Sequence, residues 1–319
     1  MQPQFCRYYH IIGRCVRRTF LCGKDLATGR DYEHRRGWIV ERLETLVSAF
    51  SIEVAGYSIM SNHYHLVVRL NPGINEKWSD EEVYERWSRV YTPPQWVKDA
   101  HAGTGGDDQA GAYQTWISKR REYLGDLSWF MKCLNEPVAK RANKEDGCTG
   151  FFWEGRFRSQ ALMNEKALFS CLAYVDLNPI RARIAPTPEA SVYTSIRQRI
   201  RAALQKPPET QLPLMPFADE VPPEDDPIPC TFDAYVQLVE TTGRVLAPGK
   251  EGKIPASAES TLAQLGFNQA DWIRAINSFD EKTPAALGSI EEIRTLVKAV
   301  RDTPRAWFGG FRRVAALFS

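Results

Sequence analysis

Long apolar runs are missing from this sequence. Nowhere in its 319 residues do apolar side chains accumulate over the roughly 18 consecutive positions that a bilayer span requires, so a membrane-embedded protein is not expected. Paired cysteines are missing too. The seven, at positions 6, 15, 22, 133, 148, 171 and 230, are scattered, form no CxxC and have no histidines at zinc-finger spacing, which argues for reduced thiols rather than a disulfide framework. No GxxxxGK[ST] loop occurs, so P-loop nucleotide chemistry is excluded. The opening MQPQFCRYYH has no basic segment followed by an apolar stretch, and a cytoplasmic location is expected. Histidine is scarce, at five residues, and the net charge is only +2.

What is present is a composition of 43% hydrophobic and 25% charged residues, that of a globular protein with one large domain or two modest ones. Charge is unevenly placed. Residues 1–205 carry 29 Lys and Arg against 23 Asp and Glu, while residues 206–319 carry 12 against 16. The first part is where an anionic partner is to be sought.

Periodicity organises that first part as β-α-β-β-α-β. CRYYHIIGRCVRR (6–18) reads as a strand, and Ile39, Leu43, Leu46, Val47 and Phe50 give a helix over about 31–50. IEVAGYSIM (52–60) and HYHLVVRL (63–70) form a hairpin around Ser61 and Asn62. Residues 73–125, with Pro93-Pro94 and the loop GTGGDDQAG, read as an insertion with a helix at 80–91. A second core helix spans 127–144, kinked at Pro137, and a short strand follows at 157–163. A last helix, 164–179, is capped by Asn164 and ended by Pro179. The expected class is α+β, a split ferredoxin-like domain with a helical insertion.

Two of the five histidines, His63 and His65, share one strand face about 7 Å apart, with Tyr64 pointing away. Such a pair is either a hydrogen-bonded polar pair or part of a metal site, and two ligands alone are an incomplete set. On the last helix Tyr174 and Asn178 lie one turn apart on one face, beside a core side of Leu168, Leu172 and Val175. Taken alone, either could be an ordinary helix-edge residue.

Together, MSNHYHLVV (60–68), FFWEGRFRSQALM (151–163) and YVDLNPIRARI (174–184) resemble, in sequence order, the motifs of single-tyrosine HUH transposases of the IS200-like kind, and especially their REP-associated tyrosine transposase relatives. The resemblance covers roughly residues 5–200. It implies that His63 and His65 are metal ligands, that Asn178 supplies a third, amide-oxygen ligand, and that Tyr174 is the nucleophile. It implies a divalent ion, Mg2+ or Mn2+, although two imidazoles also suit zinc. The expected activity is cleavage and rejoining of single-stranded DNA beside a hairpin through a 5′-phosphotyrosine. The alternative is a hairpin-DNA-binding regulator of the same fold that does not depend on catalysis. A third possibility is a phosphodiesterase that uses water. DNA contacts are expected from Arg156 and Arg158 around Phe157, with Trp153 for stacking, and from Arg181 and Arg183; Lys119, Arg120 and Arg121 are further phosphate candidates. A monomer and a homodimer both remain open.

Residues 206–230 hold eight prolines and read as a linker. Segments at 232–240, 259–267, 269–276 and 289–300 suggest a small all-helical domain over 231–319, suited to packing or protein contact more than to DNA. The apolar tail 307–318 needs a covering surface. A chain ending near residue 205 is expected to fold alone.

Overall fold

The computed structural model describes residues 5–16, 21–25, 29–106, 109–207, 210–246, 256–280, 285–301 and 318. It is a mixed α/β protein. The elements that carry the sheet and its first layer are β1 (Tyr8–Arg14), α1 (Arg35–Ala49), β2 (Ile52–Ile59), β3 (His63–Leu70), three helices α2 (Asp80–Val90), α3 (Gln95–His101) and α4 (Gln109–Leu124), then α5 (Leu127–Glu145) and β4 (Arg158–Leu162). After these come α6 (Glu165–Arg181), α7 (Ser195–Ala203), α8 (Phe232–Leu246), α9 (Ala256–Gln264), α10 (Gln269–Asn277), a two-residue strand β5 (Ala286–Leu287) and α11 (Ile290–Arg301). The sheet order is β2-β3-β1-β4-β5, antiparallel throughout except for the parallel β4-β5 pair.

Alternation along β3 sends Tyr64, Leu66 and Val68 to one face and His63, His65 and Val67 to the other. The first face packs on α1, α5 and the insertion, whose helices add Trp87 and Trp116 to the same core. There Tyr64 lies flat across Gly13 of β1, where a Cβ would come within 2.4 Å of its ring. Glycine at 13 is therefore a packing requirement, and the Tyr64 hydroxyl is satisfied by donating to Asn135 Oδ1 at 2.6 Å. The second face packs on α6.

Helix α6 departs from expectation in two ways. Pro179 lies inside its last turn and does not end it; the helix closes where Arg183 turns left-handed, at φ 58°. Moreover, α6 is buried on nearly every side, from Ala167 through Leu177. A helix in that state needs a second layer, and α8 and α10 provide it with Tyr235, Leu238, Val239, Trp272 and Ile276. Pro137, for its part, sits within a helix that runs unbroken over Leu127–Glu145.

The Pro-rich segment expected as a linker at 206–230 is packed against the rest of the chain. Leu212, Met215, Phe217 and Ile228 of that Pro-rich segment are buried. Leu214 bridges Val54, and Thr194 bridges Ser58, so two stretches cover the outer edge of β2. At the opposite edge β5 covers β4. Unpaired edge groups are thereby satisfied at both ends of the sheet. Pro restricts the backbone whether a segment is free or packed, which is why composition alone suggested a spacer. Asp176 adds a polar bolt, accepting from Ser195 Oγ at 2.6 Å, Ile196 N at 3.0 Å and Tyr235 Oη at 2.6 Å. Burial pushes this carboxyl upward despite its three donors. The apolar tail expected at 307–318 falls outside the described residues apart from Phe318, which is buried and accepts from Asn164 Nδ2 at 2.9 Å.

A chain ended near residue 205 should therefore expose the outer face of α6, the β4 edge and the part of the β2 edge that Leu214 covers, and be insoluble or unfolded. Soluble yield and size-exclusion behaviour of that fragment check this; a soluble, monodisperse product would show that the outer layer is dispensable.

Candidate functional site

His63 and His65 reach the α6 face because the hairpin at Ser61 and Asn62 fixes the register of β3 against both neighbours, pairing His65 with Ile12 and Ser58. Their ring centroids are 4.8 Å apart and the rings nearly perpendicular. The Tyr174 ring, descending from α6, stands edge-on to His65 at 5.4 Å. These residues, with Asn178 one turn on, line a cleft of about 410 Å³ whose other walls are Ile12, Arg14, Glu154, Gly155, Arg156, Arg158 and Phe279. Residues far apart in sequence thus share one cavity: the two histidines, the tyrosine, the asparagine and two of the expected arginines.

The remaining expected residues fall elsewhere. Trp153 lines an adjoining groove of about 630 Å³ that shares Gly155 and Arg156 with the cleft, and its indole donates to Asn135 O at 2.9 Å. Arg181 holds its guanidinium 5.1 Å from the Tyr174 ring centroid and donates to Asn277 Oδ1 at 3.2 Å. Arg183 follows the end of α6 and does not line the cleft. Arg120 is caged by Trp87, Trp116 and Tyr123, and Arg121 pairs with Asp80 at 2.5 Å; both serve the insertion's own packing.

Sequence reasoning missed four contributors. His10 on β1 is buried, and its Nε2 lies 2.9 Å from His65 Nδ1. Gln160 on β4 lies 3.3 Å from His10 Nδ1. Arg14 ends β1 at the cleft, a position that the alternation of YYHIIGR could have suggested once β1 was placed beside β3. Phe279 stacks on Tyr174, centroids 5.0 Å apart and planes at 23°; no local pattern announces it.

Electrostatically the cleft joins neutral imidazole to guanidinium. Burial pushes His63 down to about 4, with Arg14 and His10 adding to the effect. His10 is likewise pushed down to about 4 by burial, and His65 well below its ordinary value by burial and then by its neighbours His10, His63 and Arg14. Neutral imidazole is the form that binds metals. His65 Nε2 and Asn178 Nδ2 are buried with no hydrogen-bond partner in the protein, a cost tolerated where a ligand completes the site. The donor set therefore fits a divalent ion held by His63 and His65. Among the described residues no three His, Cys, Asp or Glu side chains form a metal-binding group, and the Asn178 amide is the other uncharged polar group beside the pair in the cleft lining, with the Tyr174 hydroxyl.

No family model matches the chain, and no curated protein matches it. One solved structure, described as "Structure of the REP associates tyrosine transposase bound to a REP hairpin", is similar at 12% identity and a TM-score of 0.32, over 61% of this chain and 81% of that one. Among the described residues no helix is long and apolar enough to cross a membrane.

The buried rings make stability depend on pH. An unfolded chain protonates histidine from about pH 6.5, while the folded chain keeps His10 and His63 neutral down to about 4. In that window the unfolded state binds more protons, so acid favours unfolding. The melting temperature of the metal-free protein should fall as pH drops from about 6.5 toward 4. A profile that stays flat there would contradict buried neutral rings.

Proposed function

We propose that this chain is a single-strand DNA transesterase of the single-tyrosine HUH class, built on a ferredoxin-like core and acting beside hairpins. The observation that carries the reading is the convergence of His63, His65, Tyr174 and Asn178 on one cleft rimmed by Arg14, Arg156 and Arg158. The strand order β2-β3-β1-β4 supports the ferredoxin-like part.

In this reading the three arginines hold the phosphodiester backbone, and the neighbouring groove with Trp153 and Phe157 accepts unpaired bases by stacking. Tyr174 Oη attacks the phosphorus, a tyrosyl P–O bond forms, and the P–O3′ bond breaks. The phenolic proton is lost to solvent as the 3′-oxygen gains one and leaves as a hydroxyl. His63, His65 and the Asn178 amide oxygen would hold a divalent ion, which when bound would supply charge stabilisation at the phosphate. The phosphotyrosine keeps the energy of the broken bond, so rejoining needs no nucleotide.

A DNA-binding protein that does not cleave is the second reading. The feature that favours it is Tyr174 itself, only 6% exposed beneath Phe279. Labelled single-stranded DNA carrying a hairpin distinguishes the two: a covalent protein adduct with a free 3′-hydroxyl supports the transesterase, binding without reaction supports the second reading, and released hydrolysis products support water as nucleophile.

Tyr174→Phe should abolish adduct formation, a loss on the order of a thousandfold or more, and leave hairpin affinity within about twofold, since only the hydroxyl is removed. His63→Ala and His65→Ala should each remove metal-dependent cleavage, and Asn178→Ala should lower it less, because water replaces one neutral ligand. Cleavage that survives EDTA would refute the metal's role, and an adduct formed by Tyr174→Phe would move the nucleophile to another residue.

A further inference from the structure

The buried chain Gln160–His10–His65 behind the cleft has a direction. Gln160 lies on β4, His10 on β1 and His65 on β3, three adjacent strands of the sheet, and all three side chains are at most 4% exposed. Gln160 Oε1 faces His10 Nδ1 at 3.3 Å, and His10 Nε2 faces His65 Nδ1 at 2.9 Å. The two imidazoles stack with centroids 5.1 Å apart and planes at 17°. A neutral imidazole has one N–H and one lone pair. An amide oxygen accepts, so His10 carries its proton on Nδ1. Its Nε2 then presents a lone pair, and two facing lone pairs repel, so His65 carries its proton on Nδ1. The remaining lone pair of His65 is left on Nε2, the atom that is buried without a partner.

His63 arrives at the same state by a different route. Its Nδ1 lies 2.5 Å from Asn62 Oδ1, which fixes the proton on Nδ1 and leaves the Nε2 lone pair. Both histidines of the strand therefore offer Nε2 as an electron-pair donor, with no ring N–H presented from that position. Such a pair calls for a cation.

We propose that His10 and Gln160 are positioning residues that lock His65 as the Nδ1–H tautomer and so hold its Nε2 ready for a divalent metal ion. This rests on the proposed reading of His63 and His65 as ligands. Neither His10 nor Gln160 lines the cleft. They act through His65, with the amide orientation of Gln160 setting the sense of the whole chain: turned over, its NH2 would donate to His10, His10 would donate to His65, and His65 would point an N–H into the cleft instead of a lone pair.

The test uses the full-length, metal-free protein labelled with 15N at histidine, and long-range 1H–15N spectra that distinguish protonated from bare ring nitrogens. Five histidines keep the spectrum assignable by single substitutions. The expected result is a protonated Nδ1 and a bare Nε2 at His10, His63 and His65. A protonated Nε2 at His65 overturns the proposal, and this wild-type measurement needs no variant to fold. Gln160→Leu should then shift His65 toward the Nε2–H form and weaken Mn2+ binding, measured by calorimetry, about tenfold or more. Gln160→Glu, which restores an acceptor oxygen at the same reach, should recover both. An unchanged His65 tautomer in a folded Gln160→Leu protein also overturns the proposal. Wild-type protein that has the assigned tautomers but binds no Mn2+ would overturn the purpose assigned to the lock and the metal reading with it, whereas loss of the DNA adduct alone would bear on the transesterase reading and leave the lock standing.

Discussion

The burial of α6 on all sides is the constraint from which the rest of the molecule follows. The helix carries Tyr174 and Asn178 toward the sheet, and Leu168, Leu172, Val175 and Leu177 leave it no solvent face along most of its length. A single sheet covers one side of a helix, so the other side must be covered by further chain. Helices α8 and α10 take that place, and Asp176 ties α6 to α7 and α8 by hydrogen bonds that have no water to compete with them. Truncating a buried leucine in such a layer costs about 2–5 kcal/mol, so the outer helices are part of the same cooperative core.

This packing also decides the character of the cleft. It opens where β1, β3, the residues around the start of β4 and α6 meet, and β3 contributes His63 and His65 to its wall while His10 lies buried behind them. Burial keeps those rings neutral while Arg14, Arg156 and Arg158 supply the positive charge. In the proposed reading these roles are separate: guanidinium would orient phosphate at the rim, and uncharged nitrogen would be available to a metal inside. Phe279, from the segment after α10, closes over Tyr174 and gives the outer layer a direct part in the site.

Much of the first layer was legible from local pattern. Strand alternation and helical spacing located β1 through β4, α1, α5 and α6 to within a few residues, because each has one face against a core and the period of its apolar residues records that face. That His63 and His65 share one strand face, and Tyr174 and Asn178 one helix face, was legible for the same reason, since spacing within one element is a local property; their meeting in one cleft was not. The boundary set by proline was misjudged at residue 179: Pro179 forfeits its own N–H bond to the preceding turn, yet α6 continues to Arg181.

By itself, then, the sequence determined most of the elements and the side of each that is apolar, and it placed His63 with His65 on one strand face and Tyr174 with Asn178 on one helix face, since these depend on neighbours at most four residues away. Tertiary structure alone decided the rest. It bound the Pro-rich segment to the edge of β2 and β5 to the edge of β4, and it packed α8 and α10 against α6. It also set His10 against His65 across 55 positions of sequence, and Phe279 against Tyr174 across 105. Contacts of that range leave no period in a sequence. They arise when two buried surfaces, each unremarkable alone, can satisfy their apolar area and their polar atoms only on one another.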